Sequence, residues 1–146
     1  MKRADVVLFV DDKDPKKASK ACKDILYQKN VIYIQNKNND LALETIERGL
    51  NIDPQDSYLN LIKADFSYQN KDLDTAFKLY MKAMEYSDNP GPIKIRLLNI
   101  YIELNQNEKA IDFANKLLNQ YPNDPNIYYN VGVLYQRMAK DIQIRS

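Results

Sequence analysis

Asp11, Asp12 and Asp14 place three carboxylates close together near the start of this 146-residue chain, the way a calcium-binding loop begins. The rest of such a loop is missing, because Pro15 and Lys16-Lys17 stand where its glycine and later ligands belong. The run reads as a solvated acidic turn. Other reaction centres fail on composition. There is no His and only one Cys, Cys22, so the chain assembles no Ser-His or Cys-His couple, no Cys/His zinc site and no internal disulfide. Gly49, Gly91 and Gly132 are isolated from one another, which excludes a glycine-rich phosphate loop. Carboxylate or Lys chemistry stays open on composition alone. With no cluster to carry it, the expectation is a chain without catalytic residues, cofactor or metal.

Charge gives a second exclusion. Lys and Arg total 21 against 20 Asp and Glu, so no excess points to nucleic acid or anionic lipid. The basic residues Lys13, Lys16, Lys17, Lys20 and Lys23 are interleaved with Asp11, Asp12, Asp14 and Asp24, as on a solvated helix face. Val6 to Val10 is the only N-terminal apolar run, too short to span a bilayer and unlike a signal peptide. It reads as a short capping helix in preference to a β-prone strand. A lone Cys22, expected to pack as a small apolar residue, does not name a compartment, and localisation stays open.

The elements that would position any site are helices. Pro15 opens a stretch to about Asn36 in which Ala18, Ala21, Cys22, Ile25, Leu26, Ile32 and Tyr33 recur at helical spacing. A polar cluster from Gln35 to Asp40 interrupts it, and a second amphipathic pattern runs from Leu41 to the stop at Asp53-Pro54. The same alternation repeats twice, with polar turns at Gln69–Asp72 and Asn105–Asn107 and stops at Pro90 and Pro122. Ala42, Ala76 and Ala110 fall 34 residues apart, each on the second helix of a pair. A methyl there is the largest group that lets two helices cross closely, and Gly132 is expected to play the matching role on a first helix.

A 34-residue helix-turn-helix period resembles the tetratricopeptide repeat family, and Tyr128, Val131-Gly132 and Tyr135 reproduce its aromatic, Leu-Gly, Tyr pattern with Tyr for Trp and Val for Leu. The resemblance covers about residues 22 to 139. It departs from the pattern at Lys29-Asn30, and at Asn60 and Lys63, where a rotated or shifted helix is expected. It implies an all-α, right-handed superhelix of antiparallel helix pairs. The expected organisation is an N-terminal extension or cap (1–14), repeats at 15–56, 57–90 and 91–124, and at 125–146 the first helix of an incomplete repeat or a capping helix.

In that family the first helices line a concave groove that takes a peptide or helix of a partner. Carried over by repeat position, the groove would hold Tyr27, Gln28 and Val31 from the first unit and Tyr58, Leu61, Ile62, Asp65 and Gln69 from the second. Arg96, Asn99 and Glu103 follow from the third, and Tyr129, Asn130, Val133 and Arg137 from the fourth. Tyr58 and Tyr129 stand out as groove aromatics, and Asn99 and Asn130 either hold a peptide backbone or are simply polar residues on an exposed helix. The subclass that clamps a chaperone tail's terminal carboxylate would need Lys and Asn where this chain has Tyr27, Val31, Ile62 and Pro92; only Arg96 fits.

The function implied is a non-catalytic scaffold for a protein or peptide partner. Two alternatives accompany it. Val131, Leu134, Tyr135, Met138, Ile142 and Ile144 form an apolar face without its own second helix, so the chain either oligomerises through this C-terminal helix or is a fragment of a longer array. The repeats could also dock an enzyme whose catalytic part lies elsewhere.

Overall fold

In the computed structural model the described residues are 15–145, and they form seven helices: α1 Pro15–Gln35, α2 Asn39–Ile52, α3 Ser57–Gln69, α4 Leu73–Glu85, α5 Gly91–Glu103, α6 Asn107–Gln120 and α7 Pro125–Arg145. The expectations placed on Val6 to Val10 and on Asp11, Asp12 and Asp14 lie outside the described residues. Consecutive helices pack on one another as an α-solenoid, most extensively α1 with α2 and α3 with α4. None of them is long and apolar enough to cross a membrane.

The turn inside each pair is built the same way three times. Lys37, Lys71 and Asn105, spaced by the period, all have positive φ (57°, 64° and 56°). Around Lys71, its own N–H donates to the Tyr68 carbonyl and the Asp72 N–H to the Ser67 carbonyl, the doubled closure that ends a helix in the left-handed conformation. Lys37 and Asn105 are closed by equivalent bonds. The residue after each turn starts the next helix: Asn38 and Asp72 accept the N–H groups of Leu41 and Thr75 through their side chains. Asn tolerates this backbone; Lys does so at a cost.

The alanine triplet sits where the period places it. Ala42, Ala76 and Ala110 are fully buried. What faces them differs from pair to pair. In α1 the equivalent of the usual small residue is Asn30, fully buried, whose amide donates to the Ala42 carbonyl (2.9 Å) and to Thr45 Oγ1 (3.0 Å). In α3 it is Ala64, and in α5 it is Leu98, both also fully buried. Leu98 is too large for the closest approach, and α5 and α6 accordingly pack less tightly than the first two pairs.

Two expectations need correction. Gly132 crosses no helix among the described residues: a Cβ built on it meets nothing within 4 Å. The glycine that does mediate a close approach is Gly49 on α2, where a Cβ would lie 2.4 Å from Leu59 Cδ1. Nor is α3 rotated away from the repeat pattern. Asn60 is buried in register because its amide donates to the Pro54 and Asp56 carbonyls, and Lys63 reaches Glu47 on α2 at 2.6 Å. A polar residue fits a core position when its hydrogen bonds are met locally.

Two stability measurements follow. Ala76→Leu overfills the α3–α4 crossing and should cost about 1–3 kcal/mol in urea unfolding. Gly132→Ala, on an exposed helix surface, should instead stabilise by up to about 1 kcal/mol; a loss would restore the crossing role to Gly132. Separately, Lys71→Gly should raise stability by about 1 kcal/mol by relieving the positive-φ backbone, with the helical circular dichroism unchanged.

Candidate functional site

The first helices α1, α3, α5 and α7 present residues at intervals of 34: Tyr27, Leu61, Ile95 and Tyr129 form one series, and Val31, Asp65, Asn99 and Val133 another. Between α3 and α5 this arrangement leaves a hollow of about 260 Å³ lined by Asp65, Tyr68, Gln69, Tyr80, Arg96 and Asn99. Four of these were expected from repeat position. Tyr68 and Tyr80 were not.

Charge in the hollow is met internally. Tyr80, a buried residue of α4, donates its hydroxyl to Asp65 Oδ1 at 2.5 Å, and Arg96 donates Nε to the same oxygen at 2.9 Å. Arg96 Nη1 also reaches the Pro92 carbonyl at 3.4 Å. One turn along, Tyr68 donates to Glu103 Oε1 at 2.6 Å and Lys71 lies 3.6 Å from Glu103 Oε2. Asn99 sits between these two clusters on α5, half-buried, and its amide is bonded to no other side chain or carbonyl among the described residues.

The electrostatics follow from these contacts. Burial first, then the bond to Glu103, pushes the Tyr68 hydroxyl up to about 12. Burial and the bond to Asp65 likewise push Tyr80 far above the ordinary tyrosine value. The Tyr68 hydroxyl is the main reason the Glu103 carboxyl is held below the usual range, with the Lys71 and Arg137 charges adding to it against partial burial. Both tyrosines therefore stay protonated donors, and Glu103 stays an ionised acceptor.

The remaining expected residues distribute as follows. Tyr27 and Tyr58 are half-buried and meet edge to face at 5.2 Å, and Tyr27 donates its hydroxyl to Asp56, so this aromatic pair ties α1 to α3. Lys23 joins the same cluster through Asp53 (2.9 Å) and Asp56 (3.2 Å). Its bond to Asp53 is the leading cause of a raised Lys23 and a lowered Asp53. A wider hollow of about 680 Å³ lies beside them, lined by Lys20, Lys23, Tyr27 and Ile52 among others, but its facing charges Lys23 and Asp53 are spent on each other. Leu61 packs against the core around Ala76 and Tyr80, and Ile62 is half-buried nearby on α3. Gln28 and Val31 are exposed on α1, and Tyr129 and Arg137 on α7. Val133 is half-buried on α7. Asn130 spends its amide on its own helix, donating to the Asn126 carbonyl at 2.7 Å, so of the two asparagines expected in the groove Asn99 is the one with an unbonded side-chain amide. Glu103 and Arg137 line a further hollow of about 460 Å³ with Lys71 and Lys140.

Tyr68 is 34 residues before Ile102 and could be reached by carrying the period one position further along the helix face. Tyr80 could not, because it belongs to a second helix and reads as core; only its hydroxyl emerges at Asp65. Among the described residues no group of three or more His, Cys, Asp or Glu side chains is placed to hold a metal ion.

Residues 23–56 and residues 67–130 each match a family model described as a tetratricopeptide repeat. No curated protein matches the chain. Among solved structures, the first TPR domain of Spaghetti (RPAP3), bound to the HSP90 peptide SRMEEVD, is 19% identical and aligns over 80% of this chain and 95% of that one, with a TM-score of 0.65. The second TPR domain of human RPAP3, in complex with the HSP70 peptide SGPTIEEVD, is 13% identical over 80% of this chain and 98% of that one, with a TM-score of 0.66. MamA is 15% identical over 97% of this chain and 86% of that one, with a TM-score of 0.67. At these identities the likeness is one of fold, and the fold is the expected superhelix of antiparallel helix pairs.

The titration of Tyr68 is testable. A group whose folded value is raised contributes stability that is whole below its unfolded value of 10.0 and is lost as pH rises through about 12. Thermal melts should therefore fall over that interval, and less steeply for Tyr68→Phe. An identical alkaline slope in the two proteins would remove Tyr68 from the account.

Proposed function

Because the chain belongs to the tetratricopeptide repeat family, whose fold is a protein-interaction module, we propose that it is a non-catalytic scaffold binding a peptide or helix of a partner protein along its first helices. The observation that carries this reading is the α3–α5 hollow, in which the charges of Asp65 and Arg96 are already met by each other, the Tyr68 hydroxyl is taken up by Glu103 beside it, and the Asn99 side chain is not hydrogen-bonded. An amide that donates and accepts at once matches the peptide group of an extended segment. Asp65 and the tyrosine hydroxyls fix the walls around it.

The same contacts argue for a ligand other than the terminal carboxylates in the peptides bound by the two RPAP3 domains. Of the positions such a clamp uses, Arg96 alone carries a cation here, and its Nε is committed to Asp65. A carboxylate arriving there would face Asp65 and displace an existing charge-assisted bond. A neutral backbone makes no such demand.

The test is a peptide-display selection on the intact chain, followed by affinity measurement and amide-resolved NMR with the selected peptides. Shifts should centre on Asp65, Gln69 and Asn99, and Asn99→Ala should weaken binding about tenfold, as loss of one or two hydrogen bonds in a desolvated site implies. Peptides that bind both proteins equally, or that shift residues on α2, α4 and α6 instead, would sink this reading.

A further inference from the structure

The α3–α5 hollow does not end the face of the first helices. Its wall Tyr68 donates to Glu103 Oε1 at 2.6 Å, and Glu103 is also a wall of the α5–α7 hollow of about 460 Å³. One hollow therefore follows the other, with the Tyr68–Glu103 bond between them. On α7, Arg137, Lys140, Asp141 and Ile144 stand at i, i+3, i+4 and i+7, so all four fall on one side of the helix and line this second hollow with Lys71 and Glu103.

Charge is balanced in the first hollow and unbalanced in the second. Between α3 and α5, Arg96 donates Nε to Asp65, and the two charges meet. Arg137 falls one period after Glu103 and lines the same hollow, where an equivalent pair could form between α5 and α7. It does not form. Glu103 Oε1 accepts the Tyr68 hydroxyl, Oε2 lies 3.6 Å from Lys71 Nζ, and Arg137 acts on Glu103 only as a charge at longer range. Neither Arg137 nor Lys140 makes a hydrogen bond or ion pair among the described residues, and Asp141, one turn after Arg137, takes no bond from it. Around the hollow the cations Lys71, Arg137 and Lys140 stand against the carboxylates Glu103 and Asp141, an excess of one positive charge. A carboxylate supplies the one missing charge and fits the planar fork of a guanidinium, whereas a phosphate dianion would leave the hollow negative.

On the reading that a partner peptide lies at Asn99, we propose that an acidic side chain of the same peptide enters the α5–α7 hollow and is bound by Arg137 and Lys140. Asn105 lines the hollow beside them and offers its side-chain amide, which is bonded to nothing else among the described residues. Glu103 lies one turn beyond Asn99, about 6 Å along α5, and a packed helix such as α7 lies about 8–10 Å to the side. An extended chain covers that span in about three or four residues, which sets the distance from the peptide group at Asn99 to the acidic residue. The first hollow thus holds backbone, and the second reads one side chain.

Peptides selected by display on the intact chain, resynthesised with acetylated and amidated ends so that only a side chain can supply a carboxylate, test it. They should carry Asp or Glu about three or four residues to one side of the segment held at Asn99. Replacing that residue by Asn or Gln should weaken binding about fivefold at low salt, and high salt should bring the two peptides together. The double variant Arg137→Gln/Lys140→Gln should weaken the acidic peptide by about the same factor and leave the neutral one unchanged. Arg137→Glu/Lys140→Glu should prefer a peptide with Lys at that position. Both side chains are exposed, so circular dichroism should not change in either variant. Binding that is lost with Asn99→Ala but shows no acidic preference and no response to the α7 variants overturns this proposal and leaves the peptide site standing. Equal weakening of acidic and neutral peptides by the Gln variant, or binding that needs a free C-terminus, also overturns it. Indifference to Asn99→Ala, or a selection that yields no binder, overturns both.

Discussion

The close crossing of two helices within each pair is the constraint on which the rest of this structure depends. A three-residue turn with one left-handed residue leaves no slack, so α1 and α2, or α3 and α4, must lie against each other within a few residues of the turn. Only a small group on the second helix allows that, hence Ala42, Ala76 and Ala110. The first helix then has some freedom in how it answers. Asn30 answers with hydrogen bonds, Ala64 with another methyl, and Leu98 by holding its pair further apart. That third solution opens the α5–α6 pair toward α7, whose Ile127, Val131 and Leu134 fill the space. Three chemically different crossings thus produce one architecture, because the turn fixes the pairing before side-chain chemistry refines it.

The face of the first helices shows a related economy. Isolated surface ion pairs stabilise little, and Lys116–Asp112, both well exposed, is of that kind. The Asp65 cluster differs because Tyr80 is buried and sends only its hydroxyl to the surface, giving one carboxylate oxygen two donors at once. Fixing Asp65 fixes Arg96, and with it the α3–α5 spacing. Glu103 does the same with Tyr68 one turn further on. Charged residues here hold neighbouring helices in place, and in the α3–α5 hollow the proposed recognition is left to apolar surface and to Asn99.

Much of the fold was legible in the sequence because its controlling features are periodic: alanines at 34-residue intervals, and prolines after α2 and α6. The positive-φ turns were equally periodic at Lys37, Lys71 and Asn105, yet no glycine marked them, so the backbone signal was hidden behind ordinary polar residues. Asn60 and Lys63 suggested a rotated helix because a pattern of apolar positions does not record that Asn60 reaches the Pro54 carbonyl or that Lys63 reaches Glu47. Gly132 matched the family pattern best and misled most. Residue type reports what a position tolerates, and whether anything approaches it depends on a neighbouring helix. The candidate site was legible along each first helix and illegible across helices, which is why Asp65, Arg96 and Asn99 were anticipated and the Tyr80 hydroxyl was not.

The outer half of α7 brings these points together. Its inner face is held by the core as far as Met138, but Ile142 is exposed and Ile144 more so. A helix segment without tertiary contact gains little from backbone hydrogen bonds alone, since propagation near unity leaves short unsupported turns marginal. The last turns of α7 therefore depend on the side of the helix that faces α5, where Arg137, Lys140, Asp141 and Ile144 line a hollow with Lys71, Ile102 and Glu103. Val133 and Arg137 are carried by the same helix, one at the first-helix face and the other beside Glu103. In a solenoid, where each helix is supported only by its neighbours, what α7 brings to the first-helix face is held as firmly as its packing on α5 and α6.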